Sequence, residues 1–426
     1  MILYTIRLLP LLVRLIVVGM MAGSSEYPGI KLFDVTYREY TSMSKPIRIL
    51  TVDVGTGTQD ILFFESGKTI ENNFKMVMPS PTVIIAERIK RATERGQPIL
   101  LTGVTMGGGP CHWAARDHAL AGYKVAVTPE AGRTFDDDLT MVEKMGFEIV
   151  SEEDAIGRIA NSDVVHIELQ DFDARAIIRA LEAFDVEVRV DALAIAAFDH
   201  GAAPPGVSDR KFRFDFIAET VRRNPIPSAF AYAARDTPAD LTRLRAIAKS
   251  AERYKELSGS AADIPLLLMD TGSAAVLGAL EDPLVRKQEN SLLCNIGNFH
   301  TLAFHIVCGY IRGIFEHHTG EIRQEQLEDM LVKLAQGTLT NKEVFETSGH
   351  GALILEPAEP TSPDKSFPFL AVTGPRREML RGSRLHPYEA VPHGDMMLAG
   401  DFGLLRALAD HYPQMASIIE PSLLSE

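Results

Sequence analysis

The segment Ile49–Leu62, ILTVDVGTGTQDIL, constrains this chain more than any other stretch. Runs rich in apolar and β-branched residues flank Gly55-Thr56-Gly57-Thr58, so the segment reads as a β-hairpin with strands at Ile47–Val54 and Asp60–Glu65. Glycines at such a turn let backbone N–H groups approach a phosphate with no Cβ in the way, and threonine hydroxyls add donors. Asp53, at the end of the first strand, suits a hydrated Mg2+, which prefers oxygen ligands. Ordinary hairpins also favour glycine, so the pattern alone fits either a phosphate loop or a plain turn.

A second segment has the same form. Asn295-Ile296-Gly297-Asn298-Phe299-His300-Thr301 sits between strands predicted at Ser291–Ile296 and Thr301–Val307. Two such turns facing each other would grip one polyphosphate from both sides. From about Pro46 onward, strand-like and helix-like stretches alternate, which predicts α/β architecture. Helices are expected over Thr82–Arg95, Arg175–Phe184, Thr242–Leu257 and Asp395–His411, the last packing back near the hinge. Another is expected over Glu321–Gln336, capped by Thr319. Gly201–Ser228, with its prolines and charges, reads as a surface insertion carrying a short helix near Phe214–Arg222.

Two strands end in aspartate: Ala192–Phe198 runs into Asp199, and Pro265–Met269 into Asp270. Each fits a general base or a helix N-cap. Strand Ile99–Gly103 leads to Gly107-Gly108-Gly109-Pro110-Cys111-His112-Trp113. This loop lines a substrate pocket, as strand ends in α/β folds commonly do, or simply leads into the helix Cys111–Leu120. His317 and His318 are adjacent on a strand and point to opposite faces, so that pair is a poor chelator. Asp136-Asp137-Asp138 reads as a helix cap.

The chain has 426 residues, enough for two or more domains. Its net charge of −14 argues against a nucleic-acid partner. Only three cysteines occur, Cys111, Cys294 and Cys308, none in a Cys-x-x-Cys pair, which fits a reducing, cytoplasmic setting better than a disulfide framework. Residues 1–42 read as an N-terminal extension. Met43-Ser44-Lys45-Pro46 leads straight into the first strand as a natural start would, so the extension reflects a start placed too early. The alternatives are a targeting segment or a structural element, and a membrane contact is expected only if the segment is retained.

In this order, Asp53–Gln59, Asn295–Thr301 and Val372–Arg376 resemble the first phosphate, second phosphate and adenosine motifs of one superfamily. It comprises actin, the heat-shock chaperone ATPase, and the sugar and acetate kinases. The resemblance implies an α/β, two-domain actin-like ATPase (ribonuclease H-like) fold, with a nucleotide cleft between domains 43–290 and 291–426. It implies ATP and Mg2+ as cofactors. Gly55, Thr56, Gly57, Thr58 and Gln59, with Asn295, Gly297, Asn298 and Thr301, would bind phosphates. Gly374 and Pro375 would bind adenosine, and Asp53 would hold the metal. The chain departs from the superfamily where Asn295 and Asn298 stand in a usual Asp-x-Gly-Gly pattern, and where only Thr373-Gly374-Pro375 remains of a double glycine.

Asp270-Thr271-Gly272-Ser273-Ala274-Ala275-Val276-Leu277-Gly278 resembles the Asp-x-x-x-Ala-Ala-x-x-Gly segment of the glycerol- and sugar-kinase branch, whose Asp deprotonates the substrate. That makes Asp270 the expected catalytic residue, with Asp199 as the second candidate. Ile99–Trp113 resembles the same branch's strand and substrate loop. That resemblance places Gly107, Gly108, Gly109, Cys111, His112 and Trp113 at the substrate. The whole region after Met43 is similar to a family of anaerobic bacteria and archaea labelled as pyruvate formate-lyase activating enzymes. Radical-generating activases resemble proteins with a Cys-x-x-x-Cys-x-x-Cys loop, and the three cysteines here are too scattered to supply one. The expected function is an ATP-dependent phosphotransferase acting on a small hydroxyl-bearing molecule. The alternative is a nucleotide-dependent switch or activator working on a partner protein, which the missing carboxylate of the second motif favours. A homodimer is compatible with either.

Overall fold

The computed structural model describes residues 45–160, 163–260, 264–355 and 367–424. The expectations for residues 1–42, and most of the loop expected at Glu356–Pro368, lie outside them. Pro46–Glu426 forms a compact unit.

The hairpin forms as its sequence requires. Strands β1 (Arg48–Val54) and β2 (Thr58–Glu65) pair antiparallel, and β3 (Phe74–Pro79) joins β2. The chain then builds a separate parallel sheet from β4 (Ile99–Gly103), β5 (Val125–Val127), β6 (Phe147–Ile149) and β7 (Val165–Leu169), in the order β6-β5-β4-β7. It returns as β8 (Ala192–Ala197), β9 (Ala231–Ala233) and β10 (Leu266–Asp270), completing a first sheet β3-β2-β1-β8-β10-β9. Strands β11 (Asn290–Ile296), β12 (His300–Val307), β13 (Tyr310–His318), β14 (Gly349–Ile354), β15 (Phe369–Thr373) and β16 (Tyr388–Glu389) form a second sheet, β14-β13-β12-β11-β15-β16.

The two large sheets repeat one plan. Each has a three-stranded antiparallel meander, with two further strands laid parallel beside the first strand. Even the turns match: Gly55 N–H donates to Thr58 O at 2.9 Å, and Gly297 N–H donates to His300 O at 2.9 Å. This duplicated ribonuclease H-like unit is the two-domain actin-like ATPase fold.

Strand alternation sorts the core into layers. Leu50, Val52 and Val54 of β1 face one side, packing with the helices Ala174–Glu182 and Thr242–Ser258. Ile49, on the other face, joins a cluster that includes Leu293 and Phe304 of the second sheet. Thr51 and Asp53 share that inner face by the period of two, so the C-terminal end of β1 turns polar where the two sheets face each other.

Two helices fill the space between the sheets. Thr271–Ala279 follows β10, and Ala399–His411 comes from the end of the chain. They touch backbone to backbone: a Cβ on Gly278 would lie 1.6 Å from Ala399 O, and one on Gly403 would lie 1.9 Å from Ala274 O. Only glycine permits this approach.

Several expectations need correction. Gly201–Ser228 is not a surface insertion with a short helix. Its helix runs over Asp209–Arg223 and buries Arg213, Phe214, Ile217 and Val221. Thr319 does not cap the next helix, which spans Gln324–Ala335, where the Gln326 side chain accepts from Arg323 N–H at 3.1 Å. Thr319 is buried instead and hydrogen-bonds Thr301 at 3.0 Å between hydroxyls. The late helix starts at Ala399 rather than Asp395. No helix among the described residues is long and apolar enough to cross a membrane.

The helix contact makes a direct prediction. Gly278→Ala gains up to about 1 kcal/mol in helix propensity but must push Ala399 away, an overpacking that costs about 1–3 kcal/mol or more. Urea denaturation should show a net loss of stability. An unchanged or raised midpoint would mean that the two helices are not locked together.

Candidate active site

A cavity of about 1010 Å³ opens where the two hairpin turns meet. Gly55–Thr58, Gly297–His300, Thr373–Pro375 and Gly400 line it together with Thr105–Gly109, His112, Phe198–His200 and Arg213. The turns are close: a Cβ on Gly57 would stand 2.9 Å from Asn298 Nδ2. Gly374 sits at φ +95°, and a Cβ there would meet Asn295 Oδ1 and Ile296 O at 2.5 Å. The Thr373-Gly374-Pro375 turn is therefore pressed onto the second hairpin, which only glycine allows. Gly55, Thr56, Gly57, Thr58, Asn295, Gly297, Asn298, Gly374 and Pro375 all line the cavity.

Gln59 and Thr301 do not line it. Period-two alternation turns each away from its turn: Gln59 donates to Pro79 O at 3.0 Å, and Thr301 is fully buried against Thr319.

Carboxylates gather at the first turn. Hairpin register sets Asp53 directly opposite Asp60. Like charges in that position repel unless a proton or cation intervenes. Burial raises Asp53 to about 7, against a 2.5 Å hydrogen bond donated by Thr271 Oγ1. Burial and the neighbouring Asp53 raise Asp60 to about 8. Asp401, behind them, is held well above its ordinary range by burial, although Thr51 Oγ1 donates to it at 2.6 Å. Asp60 Oδ1 and Asp401 Oδ2 are buried without a hydrogen-bond partner. An all-oxygen, anionic set with orphaned acceptors fits Mg2+, with Asp53 and Asp60 as the cavity-lining donors. Asp60 was legible in the hairpin register but was not singled out from the sequence.

Arg213 organises the wall beside Phe198 and Asp199. Its guanidinium donates to Glu316 twice, at 2.7 and 2.6 Å, and to Asp199 O at 2.7 Å, and it lies over the Phe198 ring at 3.9 Å. Arg213 Nη2 also pairs with Asp270 Oδ2 at 2.9 Å, off the direction of a true hydrogen bond. Glu316 comes from the second sheet and Asp270 from the first, so one buried cation ties the two together. Neither Arg213 nor Glu316 stood out in the sequence, because nothing local marks a charge that is buried by tertiary packing.

The aspartates at strand ends are both engaged. Asp270 Oδ1 accepts from Gly272 N–H at 3.1 Å and Ser273 N–H at 3.2 Å, so it caps the helix Thr271–Ala279 as well as pairing with Arg213. Asp270 itself does not line the cavity, although its neighbours Thr271 and Gly272 do. Asp199 lines the cavity itself, and its two oxygens accept from Gly201 N–H and Leu244 N–H, each at 2.9 Å. Burial pushes Asp199 up despite these donors.

The parallel sheet delivers the glycine loop. Its order places β4 between β5 and β7, a topological switch point, and in open α/β sheets ligands bind in the crevice beyond such strand ends. The loops after β4 and β7 meet there: both oxygens of Asp171 accept from Gly107 N–H at 3.1 Å, and Arg243 clamps Asp171 at 2.7 and 2.9 Å. Gly107, Gly108, Gly109 and His112 line the cavity. Cys111 and Trp113 do not, because the helix Pro110–Leu120 turns them elsewhere. Cys111 is buried in the core of the parallel sheet, where desolvation raises its thiol to about 11. Trp113 is 49% exposed and tilts against Phe299. Asp138 caps the helix Leu139–Lys144, as expected, accepting from Thr140 N–H at 2.9 Å.

The raised carboxylates set a pH dependence. The unfolded chain releases these protons near pH 4, whereas the folded chain keeps them to about 7 at Asp53 and about 8 at Asp60. Between those limits these two groups hold more protons in the folded state, so their contribution to stability falls as pH rises. With divalent cations chelated, the urea midpoint of Asp53→Asn should gain on that of the unmodified protein from about pH 4 to about pH 7, so that the two slopes differ. Identical slopes in both proteins would show that Asp53 does not titrate this way.

Similar solved structures are remote. An exopolyphosphatase-like protein is 10% identical, with a TM-score of 0.24, over 71% of this chain and 58% of that one, so this chain spans less than two thirds of its length. The ethanolamine utilization protein EutJ from Carboxydothermus hydrogenoformans is 12% identical, with a TM-score of 0.27, over 87% and 93% of the two chains. The Ppx/GppA phosphatase of Aquifex aeolicus is 9% identical, with a TM-score of 0.26, over 77% and 67%. No curated protein sequence matches the chain. A family model covers residues 106–379. The three cysteines do not come together: Cys111 and Cys294 lie in separate cores, and Cys308 is exposed. The chain belongs to the family described as "Putative pyruvate format-lyase activating enzyme (DUF1786)".

Proposed function

We propose that the cavity binds ATP with Mg2+ and that the protein is a cytoplasmic ATP-dependent phosphotransferase acting on a small hydroxyl-bearing molecule. The observation that carries this reading is the pair of equivalent turns, Gly55–Thr58 and Gly297–His300, facing each other over one cavity beside the opposed Asp53 and Asp60. Phosphoryl transfer asks mainly for positioning and charge neutralisation. The turns, one from each of the proposed domains 43–290 and 291–426, supply N–H and amide donors for the phosphates. Thr271, Gly272, Ala399 and Gly400 line the same space, so two helix N-termini face it and favour an anion. Asp53 and Asp60 would hold Mg2+, which when bound neutralises phosphate charge. Gly374 and Pro375 would take the adenosine. Gly107–Gly109 and His112, at the switch point, would take the acceptor. Asp270, released from Arg213, would accept the acceptor's proton, while Asp199 orders the loop beside it.

A second reading has a specific observation behind it. Both oxygens of Asp199 accept backbone hydrogen bonds, Asp270 caps a helix and pairs with the Arg213 cation, and Asn295 stands where the second turn would carry an acid. A nucleotide-dependent switch needs binding and closure without a free base, and Arg213 would break and remake its pairs across the cleft.

Two variants separate these ideas. Gly57→Val puts a side chain against Asn298 Nδ2 between the two turns, and loss of one phosphate hydrogen bond there, at about 1.4 kcal/mol or more, corresponds to at least about 10-fold weaker ATP binding. Calorimetry should record that loss, and an unchanged affinity would remove the first turn from the nucleotide site. Asp270→Asn should abolish phosphate transfer from labelled ATP to a panel of hydroxyl metabolites while ATP binding stays nearly intact. Undiminished transfer would remove Asp270 from the mechanism, and no transfer by the unmodified protein would favour the switch.

A further inference from the structure

We propose that His300, His318 and His350 form a binding site for a borderline divalent transition-metal cation of the Zn2+ class, set in the wall of the cavity and distinct from the carboxylates of the first turn. One ring nitrogen from each histidine lies within 4.8 Å of the other two. Ring centroids are 5.0 Å apart for His300 and His318, 5.1 Å for His300 and His350, and 4.6 Å for His318 and His350.

The cluster is built by strand register. His300 begins β12 and stands directly opposite His318 at the end of β13. His350 lies on β14, at the irregularity in the β13–β14 pairing between Glu316 and His317. Three adjacent antiparallel strands therefore each contribute one imidazole. Zn–N bonds of about 2.1 Å in a tetrahedral site place ligand nitrogens about 3.4 Å apart, so side-chain movements of about 1 Å would close this set around an ion.

The surroundings resemble a metal shell. His350 is 4% exposed, and its Nδ1 is buried with no hydrogen-bond partner. The nearest counter-charge to that atom is Glu316 Oε2 at 3.7 Å, a carboxylate that Arg213 already fixes through two hydrogen bonds. Carboxylates beside ligating histidines orient the ring and raise its basicity. Phe198 stacks on His300 at 4.0 Å with an interplanar angle of 9° and holds that ring in place. Three nitrogen donors select Zn2+, Co2+, Fe2+ or Ni2+ over Mg2+ and Ca2+, which take oxygen. Three protein ligands are the number that leaves a position open for water or substrate, and His300 lines the cavity. His317 is not part of the set: it faces the other way, where its ring bonds His318 O at 2.9 Å and Thr347 Oγ1 at 3.3 Å.

This inference does not rest on nucleotide binding, and its test uses none. The full-length protein is stripped with EDTA, dialysed, and titrated with Co2+ alone while visible absorption is followed. Zn2+ uptake is measured by equilibrium dialysis with elemental analysis. One Co2+ per chain is expected, with ligand-field bands of a nitrogen-bound, low-coordinate site, and Zn2+ should displace it. His318→Gln, at a half-exposed position that leaves the core intact, and His350→Gln should each weaken binding by more than the about 10–100-fold typical of losing an outer-shell partner. His305→Gln, on the same strand but outside the set, should leave Co2+ affinity unchanged, and excess Mg2+ should not displace Co2+, which separates this site from that of Mg2+. Circular dichroism and thermal unfolding verify that each variant is folded. Absence of stoichiometric Co2+ and Zn2+ binding, or undiminished binding in folded His318→Gln, would overturn the proposal.

Discussion

The contact between the helices Thr271–Ala279 and Ala399–His411 sets the spacing of everything around it. Gly278 and Gly403 let the two backbones meet with no side chain between them, and each helix lies against the inner face of the sheets. Gly400 extends this approach to the site: a Cβ there would stand 1.9 Å from Asp53 Oδ2. The carboxylate at the end of β1 thus rests on the first turn of one helix while Thr271, the first residue of the other, donates to it. Widening the helix contact would separate the very groups that line the floor of the cavity.

Arg213 does with charge what the glycines do with close packing. It reaches Asp270 and the Asp199 carbonyl of the first sheet and Glu316 of the second. The planar, five-donor guanidinium suits this role, and a lysine could not reproduce its fork. A buried pair of this kind is weak evidence for added stability but strong evidence for a specified arrangement, because removing one partner strands buried charge. Helix packing beneath the first turn and an ion network around Arg213 together frame the cavity.

Much of this was legible from local pattern. Both hairpins announce themselves by glycine turns between β-branched runs, and the strand-end positions of Asp199 and Asp270 follow from the same reading. Asp60 was within reach too, since a four-residue turn at Gly55–Thr58 puts it opposite Asp53. What escaped depends on tertiary burial. The helix Asp209–Arg223 was read as a short surface element because prolines and charges surround it, yet it delivers Arg213 to the interior. His300, His318 and His350 are far apart in the chain and meet only through the register of three strands. Cys111 and Trp113 share a motif with His112, but helical spacing turns one into a core and the other toward solvent.

The central claim is that one polyphosphate is held by both turns at once. A crystal structure of the protein soaked with Mg2+ and a non-hydrolysable ATP analogue tests it most directly. The account predicts phosphate oxygens within hydrogen-bond reach of both Gly55–Thr58 and Gly297–Asn298, with a cation beside Asp53 and Asp60. Analogue density outside this cavity, or held by one turn alone, would contradict it.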